Sequence, residues 1–190
     1  MRKTLLTLVA MAAVAAPAAA ADLGLYVGAG LGITSLRVED FNPDYAGLRF
    51  EGDAFGYQVF AGYRPLKYLA VEAAYTDFGN IRVWEGGNTN FYKEANVDIS
   101  MWSGYAVGML PLGKKVDLIG KLGYASWDNK NTVNTAGEVE DRSTSGSDLA
   151  WGLGIDFRFN KLGIRVGGDW LQIPDSGGVF MLSADLMYRF

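Results

Sequence analysis

Over most of this chain, apolar and small or polar residues alternate with a period of two. Leu23, Leu25, Val27, Ala29, Leu31 and Ile33 are interleaved with Gly24, Tyr26, Gly28, Gly30 and Gly32. Side chains of a β-strand point alternately to opposite faces, so this segment predicts a strand with one apolar and one nearly bare face. The pattern recurs seven more times. Strand two sets Phe55, Tyr57, Val59, Ala61 and Tyr63 against Gly56, Gln58 and Gly62, and strand three sets Leu69, Val71, Ala73 and Tyr75 against Ala70, Glu72 and Ala74. Strand four is read as Ile99, Met101, Tyr105, Val107 and Met109 on the apolar face, with Asp98, Ser100, Gly104 and Gly108 opposite. Strand five carries Val116, Leu118, Leu122 and Tyr124 against Asp117, Lys121 and Gly123. Strand six carries Leu149, Trp151, Leu153, Ile155 and Phe157 against Asp148, Gly152, Asp156 and Arg158. Strand seven sets Ile164, Val166 and Trp170 against Gly163, Arg165, Gly167 and Asp169. Strand eight sets Phe180, Leu182, Ala184, Leu186, Tyr188 and Phe190 against Ser183, Asp185 and Arg189. On this reading every strand charge falls on the polar faces.

The connections decide which face is inside. Those at Arg64-Pro65-Leu66-Lys67, Leu110–Lys114 and Asn160-Lys161 are short; those from Thr34 to Gly52, Thr76 to Val97, Ser126 to Ser147 and Leu171 to Gly178 are longer and polar. Strict alternation of short and long connections is the arrangement of an up-and-down membrane barrel, with short periplasmic turns and long extracellular loops. Aromatics gather at both ends of the apolar sets: Tyr63, Tyr68, Phe157, Tyr188 and Phe190 near the turns, Tyr75, Tyr124, Trp151, Trp170 and Phe180 near the loops. These match the two interfacial girdles of such barrels. The expected fold is all-β: an eight-stranded antiparallel up-and-down transmembrane β-barrel with its apolar faces outward. A soluble barrel with this outer face would aggregate.

The one long apolar run lies at the N-terminus. Arg2 and Lys3 precede an apolar stretch from Leu5 to Val14, and Pro17-Ala18-Ala19-Ala20-Ala21 follows. A short positive region, a short apolar region and small residues at a cleavage point make a secretory signal of the Sec type. Residues 1–21 are therefore expected to be a cleavable signal peptide and residues 22–190 the barrel.

Composition narrows the function. There is no cysteine, so stability must come from something other than disulfides. Closure of a barrel in lipid supplies it, because every backbone group is paired. The net charge of −4 argues against a nucleic-acid partner. There is no histidine, which removes the common general base of hydrolases and acyltransferases and the usual zinc sites. No catalytic residue, cofactor or metal is expected. The acidic loop residues Asp40, Asp44, Glu138, Glu140 and Asp141 read as solvated charge and match no EF-hand spacing.

Eight strands enclose a lumen just wide enough to be filled by side chains. The inward sets are mostly Gly, Ala and Ser, with Glu72, Lys121, Asp156, Arg165 and Asp185 near mid-height. Unpaired charge there is costly, so Lys121 and Arg165 are expected to cross the lumen to the carboxylates. Three acids against two bases leave a role for a proton or water. Such a network is either structural filling or the lining of a narrow ion path.

The segments "GIRVGGDW" and "FMLSADLMYRF" resemble the last two strands of the outer membrane protein A transmembrane-domain family and its small porin-like relatives in Gram-negative bacteria. "YLAVEAAYTDFG" and "LPLGKKVDLIGKLGYASWD" are similar to that family's third strand and its fourth-to-fifth hairpin. The resemblance spans the mature chain. It implies that Glu72, Lys121 and Arg165 occupy interior charged positions, and that Tyr188 and the terminal Phe190 form the signal read by the barrel-assembly machinery. Ala106 stands near an interior lysine of some members, and the namesake's peptidoglycan-binding domain does not follow the barrel. The resemblance implies a bacterial outer-membrane location in the cell envelope, with membrane lipid and lipopolysaccharide as surroundings. The leading function is that of a monomeric structural barrel whose long loops contact a host or other cell-surface ligand through Phe41, Tyr45, Trp84, Phe91 and Tyr92. The alternative is a low-conductance porin for ions or small solutes, and a membrane-embedded lipid-modifying enzyme comes third.

Overall fold

The computed structural model describes residues 23–36, 53–84, 93–135, 138–172 and 178–190. They form eight antiparallel strands: β1 Gly24–Leu36, β2 Asp53–Leu66, β3 Leu69–Trp84, β4 Lys93–Pro111, β5 Val116–Thr135, β6 Glu138–Phe159, β7 Leu162–Leu171 and β8 Val179–Arg189. Each strand pairs with its sequence neighbours, and β1 closes on β8. Closure removes both sheet edges at the level of the ring, so no lipid-facing backbone group is left without a partner there.

Alternation along each strand fixes the inside and outside. On β1 the odd positions Val27, Leu31 and Ile33 are exposed while Tyr26, Gly32 and Thr34 are buried. Phe55 is 84% exposed and Leu31 71%, with Val71, Leu122, Leu153, Leu182 and Leu186 also exposed around the ring. A water-soluble protein would not carry an apolar surface this continuous. Of the charges read as inward, Glu72, Asp117, Lys121, Asp156, Arg158, Arg165, Asp169 and Asp185 are buried and Asp148 and Arg189 half-buried, whereas Asp98 on β4 is exposed.

Strand four corrects the sequence reading. Ile99, Met101, Tyr105, Val107 and Met109 are buried in the lumen, together with Ser103, whereas Trp102, Gly104, Ala106, Gly108 and Leu110 face outward. Ala106 is therefore not an interior position. The cause is volume. Inward Gly and Ala on other strands leave space that bulky groups must occupy, and β4 supplies them.

The interior glycines are matched to particular large side chains. A Cβ on Gly28 would collide with the Phe60 ring, and one on Gly62 with the Tyr26 ring. Tyr26 and Phe60 themselves pack edge to face, 6.3 Å between centroids. Gly62→Ala should therefore lower the stability of the folded barrel by about 1–3 kcal/mol through overpacking, measured as a shift of the urea midpoint in lipid vesicles. An unchanged midpoint would mean the Tyr26 ring moves aside at no cost.

Strand lengths are unequal. A lipid-facing band about 25 Å tall needs roughly 9–11 tilted residues. β7 with 10 residues and β8 with 11 just meet this. β4, β5 and β6 have 19, 20 and 22. The segments at 76–97 and 126–147, expected as loops, are thus largely strand: β3–β4 pairing runs to Trp84↔Glu94 and β5–β6 pairing to Thr135↔Glu138. Strand outside the bilayer needs no apolar outward face, so no outward apolar set marks the extension. A bulge lies between Asp77 and Asn80 on β3. Gly79 there has φ +79°, and its N–H is capped by Asp77 Oδ1 at 2.9 Å. A residue other than glycine would be strained in that conformation.

Candidate functional site

Two features stand out from the ring: a charged interior and a sheet that rises above it.

At mid-height the interior centres on Arg165, which is fully buried. Its Nε donates to Asp156 Oδ1 at 2.7 Å and its Nη2 to Asp156 Oδ2 at 3.2 Å, a two-pronged contact. Its Nη1 donates to Glu72 Oε2 at 2.8 Å. Tyr26 O–H donates to the same Glu72 oxygen at 2.9 Å. The guanidinium lies 4.7 Å from the Phe60 centroid. Lys121 Nζ lies 2.6 Å from Asp169 Oδ1 and 3.8 Å from Glu72 Oε1, and 5.0 Å from the Tyr105 ring centroid. Glu72 therefore sits between two cations on β5 and β7, across the lumen from its own strand. Asp185 receives hydrogen bonds from Gln58 Nε2 (2.8 and 3.0 Å) and Ser183 Oγ (3.2 Å).

The five sequence-predicted interior residues are all buried in one region, but their partners were incompletely anticipated. Asp169 was overlooked as a partner of Lys121, and Gln58 and Ser183 as the neighbours of Asp185. A second cluster, Arg64–Asp117–Arg158, was also missed: Asp117 lies 3.1 Å from Arg64 and 3.2 Å from Arg158 at the turn end. Arg64 borders a proline turn and read as a turn residue. The signal for the cluster was the inward parity of Arg64, Asp117 and Arg158 on three separate strands.

Above the charged layer the lumen is mainly apolar, with Thr34 and Thr76 buried among large apolar side chains. Phe78, Met101, Leu171, Val179 and Met181 are nearly or wholly buried near the loop end, with Ile99 and Trp127 beside them. An interior that is ionic at mid-height and apolar above is a packed core rather than a wide passage.

The rising sheet comes from β3–β6. β6 pairs with β7 only from Ala150↔Leu171 downward, and Gln172 N–H reaches Leu149 O at 3.2 Å. Above that point, Glu138–Asp148 pairs with β5 on one side. Among the described residues no strand pairs with its other side. Ser143, Thr144, Ser145 and Ser147 are exposed along this edge. Trp127 Nε1 donates to Asp148 Oδ2 at 2.7 Å and braces the base of the β5–β6 hairpin. Trp84 ends β3 rather than lying in a loop. Phe41, Tyr45, Phe91 and Tyr92 lie outside the described residues.

Residues 4–190 match the family described as outer membrane protein beta-barrel domain. The chain belongs to that family. This outer-membrane β-barrel protein is therefore placed in the bacterial outer membrane, with the apolar ring against lipid. No curated protein matches the sequence. Several solved barrels match in structure. Neisserial surface protein A is 16% identical over 87% of this chain and 97% of that one, with a TM-score of 0.60. The N-terminal β-barrel domain of Pseudomonas aeruginosa OprF is 12% identical over 87% and 97%, with a TM-score of 0.57. Ail, the attachment invasion locus protein of Yersinia pestis, was solved with the heparin analogue sucrose octasulfate; it is 17% identical over 86% and 97%, with a TM-score of 0.56. At these identities the likeness is one of fold.

Two rows of aromatics on the outer face mark the loop-end interface of this family member. Trp151 and Trp170 stack at 4.3 Å, with Phe180 4.4 Å beyond. Tyr57, Tyr75 and Trp102 form a second row across β2–β4, with centroids 6.1 and 5.0 Å apart. Trp102 joins this girdle because β4 faces the opposite way from the sequence reading.

Proposed function

We propose that this barrel is a surface-interaction protein, and that its contact element is the upright β3–β6 sheet with the unpaired edge of β6. The carrying observation is the run Glu138–Asp148, held in strand conformation by β5 and paired by no described strand on the other side. An exposed strand edge offers backbone donors and acceptors to an incoming strand, the mode of β-augmentation. The charge of this end selects the partner. Residues 37–53, 76–98, 126–148 and 171–178 hold fifteen acidic residues against six basic ones. A basic protein segment fits, whereas a polyanion such as the sucrose octasulfate found with Ail does not. Phe41, Tyr45, Trp84, Phe91 and Tyr92 are further contact candidates.

Residues 1–21 serve as the cleavable Sec-type signal and 22–190 as the barrel. Tyr188 and Phe190, outward-facing and 5.1 Å apart at the end of β8, serve as the assembly-machinery signal. The barrel acts as a monomer among phospholipid and lipopolysaccharide. The interior network of Glu72, Lys121, Asp156, Arg165 and Asp185 acts as structural filling rather than an ion path, in keeping with the apolar layer above it. No catalytic role is proposed, since the sequence has no histidine.

Trimming the β5–β6 hairpin tests the reading. Asn129 and Thr144 are cross-strand partners, so removing 130–143 and rejoining them with a short turn leaves the ring intact. Cells carrying the trimmed barrel should lose adherence to an epithelial monolayer while the heat-modifiable gel mobility of the folded barrel persists. Unchanged adherence with the hairpin gone would rule out the sheet as the contact element.

A further inference from the structure

The part of the sheet that rises above the ring has two unlike faces. The register sets Ile81 opposite Val97, Val83 opposite Ala95, and Ala95 opposite Val133. Directly paired residues share a face, and alternation puts these five positions on the face of Ile99 and Trp127, which are buried at the top of the lumen. The opposite face carries Asn80, Arg82, Asn96, Asp98, Asp128 and Lys130. The lumen-side face is therefore largely apolar along β3–β5 and the outer face polar. On β6 the lumen-side positions are Glu138, Glu140, Arg142, Thr144, Gly146 and Asp148. Two acids thus stand at the top of the free edge. Near its base Gly146 lies against the Trp127 ring, which a Cβ would meet at 2.5 Å.

The β7–β8 connection cannot supply a strand beyond β6. β7 ends at Leu171 and β8 begins at Val179, and residues 172–178 are too few to line Glu138–Asp148 and return. A strand added there would take the place of an upward extension of β7. From that place in the ring β3 is within reach across the lumen: lower down, Arg165 on β7 meets Glu72 on β3 at 2.8 Å.

We propose that the segment added to β6 is an amphipathic basic strand of a partner protein, running antiparallel to β6. Its lumen-side residues are apolar opposite Gly146 and Thr144, across the ring from the Ile81 and Val83 positions of β3. Opposite Glu140 and Glu138 they are lysine or arginine. The inference rests on the β6 edge as the contact element and adds which side chains the partner turns inward. Backbone pairing supplies the attachment, and the lumen-side face supplies the choice of sequence. Covering an apolar face that stands in water and pairing opposite charges across strands both favour this partner over a uniformly polar one.

Two dye-labelled eleven-residue peptides test this by fluorescence anisotropy against the full barrel in phosphatidylcholine nanodiscs. Both are threonine throughout, save valine at the third and fifth positions and two lysines. In the first peptide the lysines are ninth and eleventh, on the valine face; in the second they are sixth and tenth, on the other face. Charge and composition are the same. The first should bind roughly fivefold more tightly. Glu138→Gln combined with Glu140→Gln should abolish that difference. Ile81→Ser combined with Val83→Ser should weaken the first peptide and leave unchanged a version with threonine for both valines. Gel mobility confirms that each variant is folded. Equal binding of the two peptides overturns the inference while leaving the β6 edge as a contact element, which the trimmed hairpin tests on its own. Binding of neither to the unaltered barrel also overturns it. Binding that appears only after a short glycine-serine link replaces 38–51 would assign the face to this chain's own connection, against the proposal.

Discussion

Arg165→Met should destabilise the barrel by about 3–5 kcal/mol, the range found when one member of a buried ionic group is removed. The size follows from what remains. Glu72 would keep Lys121 at 3.8 Å and the Tyr26 hydroxyl, and Asp156 would keep Arg189 at 3.8 Å. Neither is a close replacement for contacts of 2.8 and 2.7 Å. The two carboxylates would be left with only these weaker partners in a buried site, so the loss reflects poorly compensated charge more than a lost attraction. The companion variant distinguishes these. Arg165→Met combined with Glu72→Gln and Asp156→Asn removes the stranded charges and should recover most of the stability, because the three residues act as one unit. The measurement is equilibrium urea unfolding in lipid vesicles, followed by tryptophan fluorescence. A triple variant no more stable than the single one would show that packing, rather than charge, dominates the site.

Leu153→Arg should cost about 2–4 kcal/mol, because Leu153 faces outward near mid-height, between Gly120 and Gly168 on its neighbours. Phe159→Arg, equally outward but at the turn end, should cost only about 0–1 kcal/mol. The same urea titration reads both. Depth is the only large difference between the two positions, so equal costs would remove the case that hydrocarbon surrounds the ring.

Seven of the eight strands could be oriented from alternation, and β4 could not. On β1 the inward set is glycine with Tyr26, and on β6 it carries Asp156 and Arg158, so the apolar set identifies itself. On β4 the odd set, with Ile99, Met101 and Val107, is the greasier one, yet it points inward. A rule that sends the more apolar face to lipid assumes a polar lumen. In a narrow barrel the lumen is a core, and its demand for volume outweighs polarity wherever opposing strands offer glycine. Trp102, isolated among Gly104, Ala106 and Gly108, was the contrary sign, since an outward tryptophan belongs at the interface. The charged centre was legible as a set of positions because each inward charge has its own strand parity. The pairing was not, because Lys121–Asp169 and Arg165–Glu72 depend on stagger between strands distant in sequence. The height of the β3–β6 sheet was hidden for another reason: outside the bilayer, strand and loop draw on the same polar residues.

Every second residue facing lipid has a consequence for the chain before it folds. Averaged along the polypeptide, the outward leucines and valines are diluted by glycine, serine and aspartate, and the mean hydropathy is close to neutral. Beyond residue 21 no segment presents the unbroken greasy stretch that would lodge in an inner-membrane translocation channel. The travelling chain looks like that of a water-soluble protein, and its oiliness is manufactured at the destination, when the circle shuts.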